Sequence, residues 1–120
     1  MKYMLLMFGP ENAWQEASEE QREAVYAQFG AFEKRLEESG RTSEGYELEV
    51  AAKARTLRYR SDGHVVTDGP FAEAEEHLGG YYVLDCADEA EALEWAAQIP
   101  RFPGEIPGGV EVRPIIEHEG

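Results

Sequence analysis

The sequence predicts an α+β domain in which two helices cover one face of a mostly antiparallel sheet. Two stretches combine helical apolar spacing with capping signals, and several apolar or alternating runs are too short for helices. Tight-turn signals separate these short runs. The 120 residues contain no internal repeat, low-complexity tract or Ser/Pro linker, so we expect a single domain over residues 1–120.

The first strand and the first helix have clear sequence boundaries. Residues 2–8 form a nearly continuous apolar run that a Gly-Pro pair ends, which is typical of a central strand buried on both faces. Ser18 and Gln21 form a capping-box pattern, and Gly40 suits a left-handed helix end, so a helix is predicted between them. Spacings of four, three and four place its apolar side chains in one stripe toward the sheet: Val25, Phe29, Phe32 and Leu36.

The middle of the chain predicts further strands. Short alternating stretches occupy residues 46–50 and 56–59, and a Ser-Asp-Gly turn then leads into residues 64–67, which indicates a hairpin. After a turn-rich segment, residues 80–86 are rich in aromatic and branched side chains, which favours a buried strand.

The C-terminal part predicts a second helix and a last strand. The helix is expected from its cap at Asp88 to about residue 99, where a proline stops it. Residues 101–109 form a Pro/Gly-rich loop, and residues 110–116 alternate as a strand, with Pro114 tolerable only at an edge or strand end. This order of elements suits the ferredoxin-like split βαβ arrangement. Because helices would cover one face only, a two-fold partner is expected to cover the other, which predicts a homodimer.

Composition excludes several classes of function. The formal net charge of −14 repels phosphate backbones and anionic lipid headgroups, so nucleic acid is not an expected partner. No apolar run approaches the ~20 residues that cross a bilayer, so no membrane span is expected. Cys86 is the single cysteine, and the N-terminal apolar run is too short for a secretory signal, which predicts a cytoplasmic protein. Motifs for nucleotide binding, acyl transfer or zinc proteolysis are absent, and we expect no cofactor.

Several blocks of the sequence resemble a known family. The blocks are VTDGPFAE at 66–73, Glu76, LGGYYV at 78–83, ALEWAA at 92–97 with Pro100, and EVRP at 111–114. In this order they resemble the DGPF branch of the YCII-related family, and the resemblance covers nearly the whole chain. It implies a ferredoxin-like subunit that dimerises sheet to sheet, as in the dimeric α/β-barrel group that includes muconolactone isomerase.

The resemblance also carries expectations about chemistry. In the wider family a histidine from the first helix and an aspartate near the turn are suspected to form an acid/base pair, and Asp68 resembles that aspartate. This chain departs from the pattern, because it holds no histidine before His64. A second departure is Ala74-Glu75-Glu76, where the branch commonly has Thr-Lys-Glu. Many members of the branch occur beside genes for extracytoplasmic-function sigma factors, which implies a regulatory setting.

The candidate site residues cluster around the DGP turn. Asp68 is the candidate general base, and the candidate substrate-binding residues are Phe71, Glu73, Glu76, Tyr81 and Arg113. Each also has a structural interpretation. Asp68 is a common turn residue, and Phe71 and Tyr81 are aromatic side chains of the kind that usually belong to the core. Arg113, or Arg58 in its place, could form a salt bridge with the carboxylates. A metal site of Asp68, Glu73, Glu76 and His77 lacks a recognised ligand spacing, so none is expected.

The sequence is compatible with two functions. The first is a homodimeric small-molecule-binding protein, with proton-transfer lyase or isomerase chemistry at Asp68. The alternative is a non-catalytic regulatory or protein-interaction module, in a sigma-factor setting. A partly apolar cleft beside the DGP turn would favour the first, and a filled cleft with an exposed apolar patch the second.

Overall fold

The computed structural model describes residues 1–72, 74–101 and 108–118, except for the side chain of Ser43. The predicted α+β class is confirmed, with six strands, three α-helices and one short 3-10 helix, Ala51–Lys53, in these residues. The strands are β1 (Lys2–Gly9), β2 (Thr42–Glu47), β3 (Arg55–Arg60), β4 (Gly63–Asp68), β5 (His77–Asp85) and β6 (Gly109–Pro114), and the helices are α1 (Glu11–Glu16), α2 (Glu19–Ser39) and α3 (Glu89–Ala96). Most of the predicted loop at 101–109 lies outside the described residues.

The main sheet has four strands in the order β2-β5-β1-β6, and all three pairings are antiparallel. Leu5 of the central strand β1 lies opposite Tyr82 of β5 on one side and Val112 of β6 on the other. Pro114 ends the edge strand β6, as its missing N–H requires. The predicted hairpin is present, but β3 and β4 form a separate two-stranded sheet.

The two faces of the main sheet differ in burial. Helices α2 and α3 cover the face that carries Leu5 and Tyr82, here called the helix face, and Leu5 is completely buried. On the opposite face, here called the open face, Met4 and Leu6 are only half-buried. The prediction that β1 is buried on both faces is therefore wrong for the single chain, because none of the helices in the described residues covers the open face.

The predicted helix caps are confirmed, and one helix was not predicted. Ser18 and Gln21 form the capping box, Gly40 ends α2 with φ of 72°, and the Asp88 side chain accepts a hydrogen bond from the Glu91 amide. Helix α1 was missed because it has six residues and no capping side chain, so neither periodicity nor a cap marks it. Among the described residues, no helix has the length and apolar character needed to span a membrane.

Candidate functional site

A cleft of about 790 Å³ opens at the edge of the helix face. Its floor is formed by Met7, Tyr82 and Val110 of the sheet, and its walls come from α1, α2, the end of β2 and the segment after α3. The lining residues on these walls include Trp14, Tyr26, Phe29, Glu33, Glu47 and Ile99. Ligand sites commonly have this size and this mixture of aromatic side chains with a few polar groups.

Tyr82 links the floor of the cleft to helix α2. Its hydroxyl donates a hydrogen bond of 2.7 Å to the Glu33 carboxylate, and its ring packs edge-on against Phe32 with 5.5 Å between centroids. The pKa of Tyr82 is raised, because burial disfavours the phenolate and the bonded carboxylate of Glu33 adds to this. Gly45 lies opposite Tyr82 in the sheet, where a Cβ atom would overlap the tyrosine ring. A glycine in β2 thus makes room for the ring.

A second tyrosine forms a similar link at the mouth of the cleft. The hydroxyl of Tyr26 on α2 donates to the Glu47 carboxylate at the end of β2, at 3.0 Å. Its ring meets Trp14 of α1 edge-on, with 5.3 Å between centroids. Burial raises the pKa of Tyr26, and its hydrogen bond to Glu47 adds to the shift. These contacts hold α1, α2 and β2 together around the opening.

An imidazole and a carboxylate meet at one end of the cleft. His77 Nε2 lies 3.9 Å from Glu11 Oε1, and both side chains are mostly shielded, with 23% and 21% of their surface exposed. The other Glu11 oxygen accepts a hydrogen bond of 2.6 Å from the Ala51 amide, which fixes the carboxylate. The described residues contain no group of three or more His, Cys, Asp or Glu side chains suited to a metal ion.

The DGP turn lies outside the cleft. Asp68 ends β4 with an 87% exposed side chain, and its carboxylate lies 3.5 Å from the guanidinium of Arg55 on β3. Phe71 is also exposed, and the Arg58 guanidinium lies 4.8 Å above its ring and donates to its carbonyl oxygen. Neither residue lines the cleft.

The other predicted site residues are dispersed. Glu76 is exposed just before β5, and Glu73 lies outside the described residues. Tyr81 and Arg113 lie on the open face, because Tyr82 points to the helices and side chains alternate along a strand. The structure therefore does not bring the described members of the predicted set together in one cleft.

Sequence reasoning missed most of the cleft. Tyr26 and Glu33 lie three residues before and four residues after Phe29 on α2, so they form a stripe that shares Phe29 with the core stripe. This spacing was available in the sequence, but a stripe of this kind is usually either core or solvated surface. Glu11 and Glu47 are isolated glutamates in an acidic chain, and no local signal distinguishes them.

The structure is a small α+β domain with an open, partly aromatic cleft, and comparisons with known proteins give its family. A family model described as the YCII-related domain matches residues 1–119. The chain is also 34% identical, over 115 residues, to an uncharacterized protein of Rhizobium meliloti (strain 1021), and the match covers 96% of this chain and 92% of the relative. The chain belongs to the YCII-related family.

Proposed function

We propose that the protein is a homodimer of the DGPF branch that binds a small molecule in the cleft of each subunit. The observation that carries this proposal is the cleft itself, which is open and partly aromatic and has polar groups held in place at its floor and its mouth. The cleft supports ligand binding, although it lies away from the DGP turn, whereas the exposed apolar side chains of the β3–β4 hairpin support the alternative of an interaction module. The strand order β2-β5-β1-β6, with connections through α2 and α3, supports a ferredoxin-like subunit.

The open face supports the dimer part of the proposal. It presents Met4, Leu6 and Tyr81 as a half-buried apolar strip, which pairing with a second copy would shield from water. Pairing of two such sheets is the arrangement of the dimeric α/β-barrel group. The β3–β4 hairpin adds a second argument, since it exposes Leu57, Tyr59 and Val66 to solvent. Residues 55–68 contain three arginines and two aspartates, so the hairpin complements the strongly acidic remainder of a second copy.

His77 and Glu11 support proton transfer as a second candidate function. The shielded imidazole is placed to accept a proton at one end of the cleft, with the fixed Glu11 carboxylate beside it. Asp68 is a weaker candidate for the base, because its carboxylate is exposed and would need a second subunit to enclose it.

Fluorescence of Trp14 tests the binding proposal directly. Trp95 is the second tryptophan of the chain, so the variant Trp95→Phe leaves Trp14 as a single reporter in the cleft wall. We expect Nile red, a neutral apolar dye, to quench this emission and to bind with micromolar affinity. Ala13→Phe, which fills the cleft, should weaken binding at least tenfold, whereas Ala31→Phe on the exposed side of α2 should not. Equal dye binding by both phenylalanine variants would contradict the proposal.

A further inference from the structure

We infer that the ligand of this cleft is an organic cation with an apolar body, such as an arylalkyl amine or quaternary ammonium ion. This inference rests on the proposed binding function, and it assigns the class of ligand. Its basis is a cavity of small-molecule size that combines an aromatic lining with two carboxylates, neither of which forms an ion pair with a described cation; one arginine, Arg101, also lines this cavity.

Glu33 and Glu47 provide the negative charge. Each accepts its hydrogen bond from a tyrosine hydroxyl, which is neutral and leaves the carboxylate charge uncancelled. Among the described residues, neither carboxylate lies within 4.0 Å of a cationic nitrogen. Glu49, another lining residue, differs in this respect, because its carboxylate lies 2.6 Å from the Lys53 ammonium. The hydrogen bonds from the two tyrosines thus hold both carboxylates in position before a ligand arrives.

The aromatic residues provide complementary contacts. Tyr26, Phe29 and Tyr82 line the same cavity, and aromatic faces attract an ammonium group while their area shields an apolar substituent. The acidic chain as a whole, with a net charge of −14, draws cations toward the opening and repels anions. A bare metal ion fits less well, since no group of three suitable ligands exists among the described residues.

Charge-matched ligands test this inference by calorimetry with the full chain. Phenethyltrimethylammonium, its neutral tert-butyl isostere and the corresponding carboxylate have similar shapes and differ in charge. We expect the cation to bind about tenfold more tightly than the neutral isostere, and the carboxylate to show no measurable binding. Added salt should weaken binding of the cation and leave the neutral ligand unaffected.

Glutamine variants test whether Glu33 and Glu47 cause the preference for the cation. Glu33→Gln and Glu47→Gln should each reduce affinity for the cation about three- to tenfold and leave the affinity for the neutral isostere unchanged. Glu37→Gln, on the same helix but outside the cleft, should change neither. Equal binding of cation and neutral isostere would overturn the cation assignment and leave the proposed function standing. Binding of none of the three ligands, together with no response to Nile red, would overturn both.

Discussion

The hydroxyl of Tyr82 donates a 2.7 Å hydrogen bond to the carboxylate of Glu33, and this contact joins strand β5 to helix α2 across the cleft. It serves packing and the proposed ligand site together, because the same bond that fixes the Tyr82 ring at the cleft floor also fixes the Glu33 carboxylate beside it. Changes at Tyr82 should therefore affect stability and cleft chemistry together.

Tyr82→Phe should destabilise the protein by about 1–2 kcal/mol, since a partly buried hydrogen bond to a charged acceptor is lost while the ring is kept. Urea unfolding followed by circular dichroism measures the change. Tyr59→Phe is the matched control, because Tyr59 is 89% exposed on the hairpin and should show little change. Equal stabilities of wild type and Tyr82→Phe would mean that the bond contributes nothing.

The raised pKa of Tyr82 should make the free energy of unfolding depend on pH in the alkaline range. The folded protein holds this phenol proton more tightly than the unfolded chain, whose tyrosine pKa is 10.0. The stabilisation is therefore complete below about pH 10 and is lost as the pH rises further, when the unfolded state ionises. Urea unfolding between pH 8 and pH 11 should show a steeper loss of stability in wild type than in Tyr82→Phe. Parallel curves would refute this assignment.

Gly45→Ala should destabilise the protein by about 1–3 kcal/mol, because the new methyl group meets the Tyr82 ring and forces it to move. Gly30→Ala is the contrasting variant, since a Cβ atom there meets nothing within 4 Å and the site lies within helix α2. It should stabilise the protein by about 0.5–1 kcal/mol. Thermal or urea unfolding of both variants gives the comparison, and a neutral Gly45→Ala would indicate that the ring relocates freely.

The proposed homodimer should be visible by light scattering coupled to size-exclusion chromatography at micromolar concentration. Leu6→Lys places a charge in the open face and should give a folded monomer. Ala31→Lys adds the same charge on the exposed side of α2 and should remain dimeric. A monomeric wild type at tens of micromolar would exclude the dimer.

Asp68→Asn and Asp68→Ala should both leave ligand binding in the cleft unchanged. Both should also alter stability by less than about 0.5 kcal/mol, because Asp68 and its partner Arg55 are exposed and such pairs contribute little. Thermal unfolding and the Nile red assay measure these two effects. Loss of binding in a folded Asp68→Asn variant would instead support Asp68 as the functional carboxylate.

Much of the secondary structure was predictable because its signals are local. A capping box, a glycine at a helix end and a short turn each act within a few residues, so they locate α2, the start of α3 and the hairpin correctly, whereas α3 ends at Ala96, before the predicted end near residue 99. Apolar and alternating runs likewise identify β1, β5 and β6, but the strand predicted at residues 46–50 is wrong in its bounds, because β2 spans Thr42–Glu47 and carries little apolar alternation. Helix α1 carries no comparable signal, and its position depends on tertiary contacts, which include Trp14 packing against Tyr26 and the hydrogen bond from the Ala51 amide to Glu11.

The sequence alone determined the family blocks, the acidic charge and the α+β class, because these depend on composition, spacing and order along the chain. Tertiary structure decided which residues share a site. Tyr81 and Tyr82 are neighbours in the sequence but point to opposite faces of the sheet, while Glu33 and Tyr82 are far apart in the sequence and in contact. Such contacts depend on strand register and helix packing, and both result from many interactions along the whole chain. The residues next to Glu33 in the sequence therefore carry no signal of its contact with Tyr82.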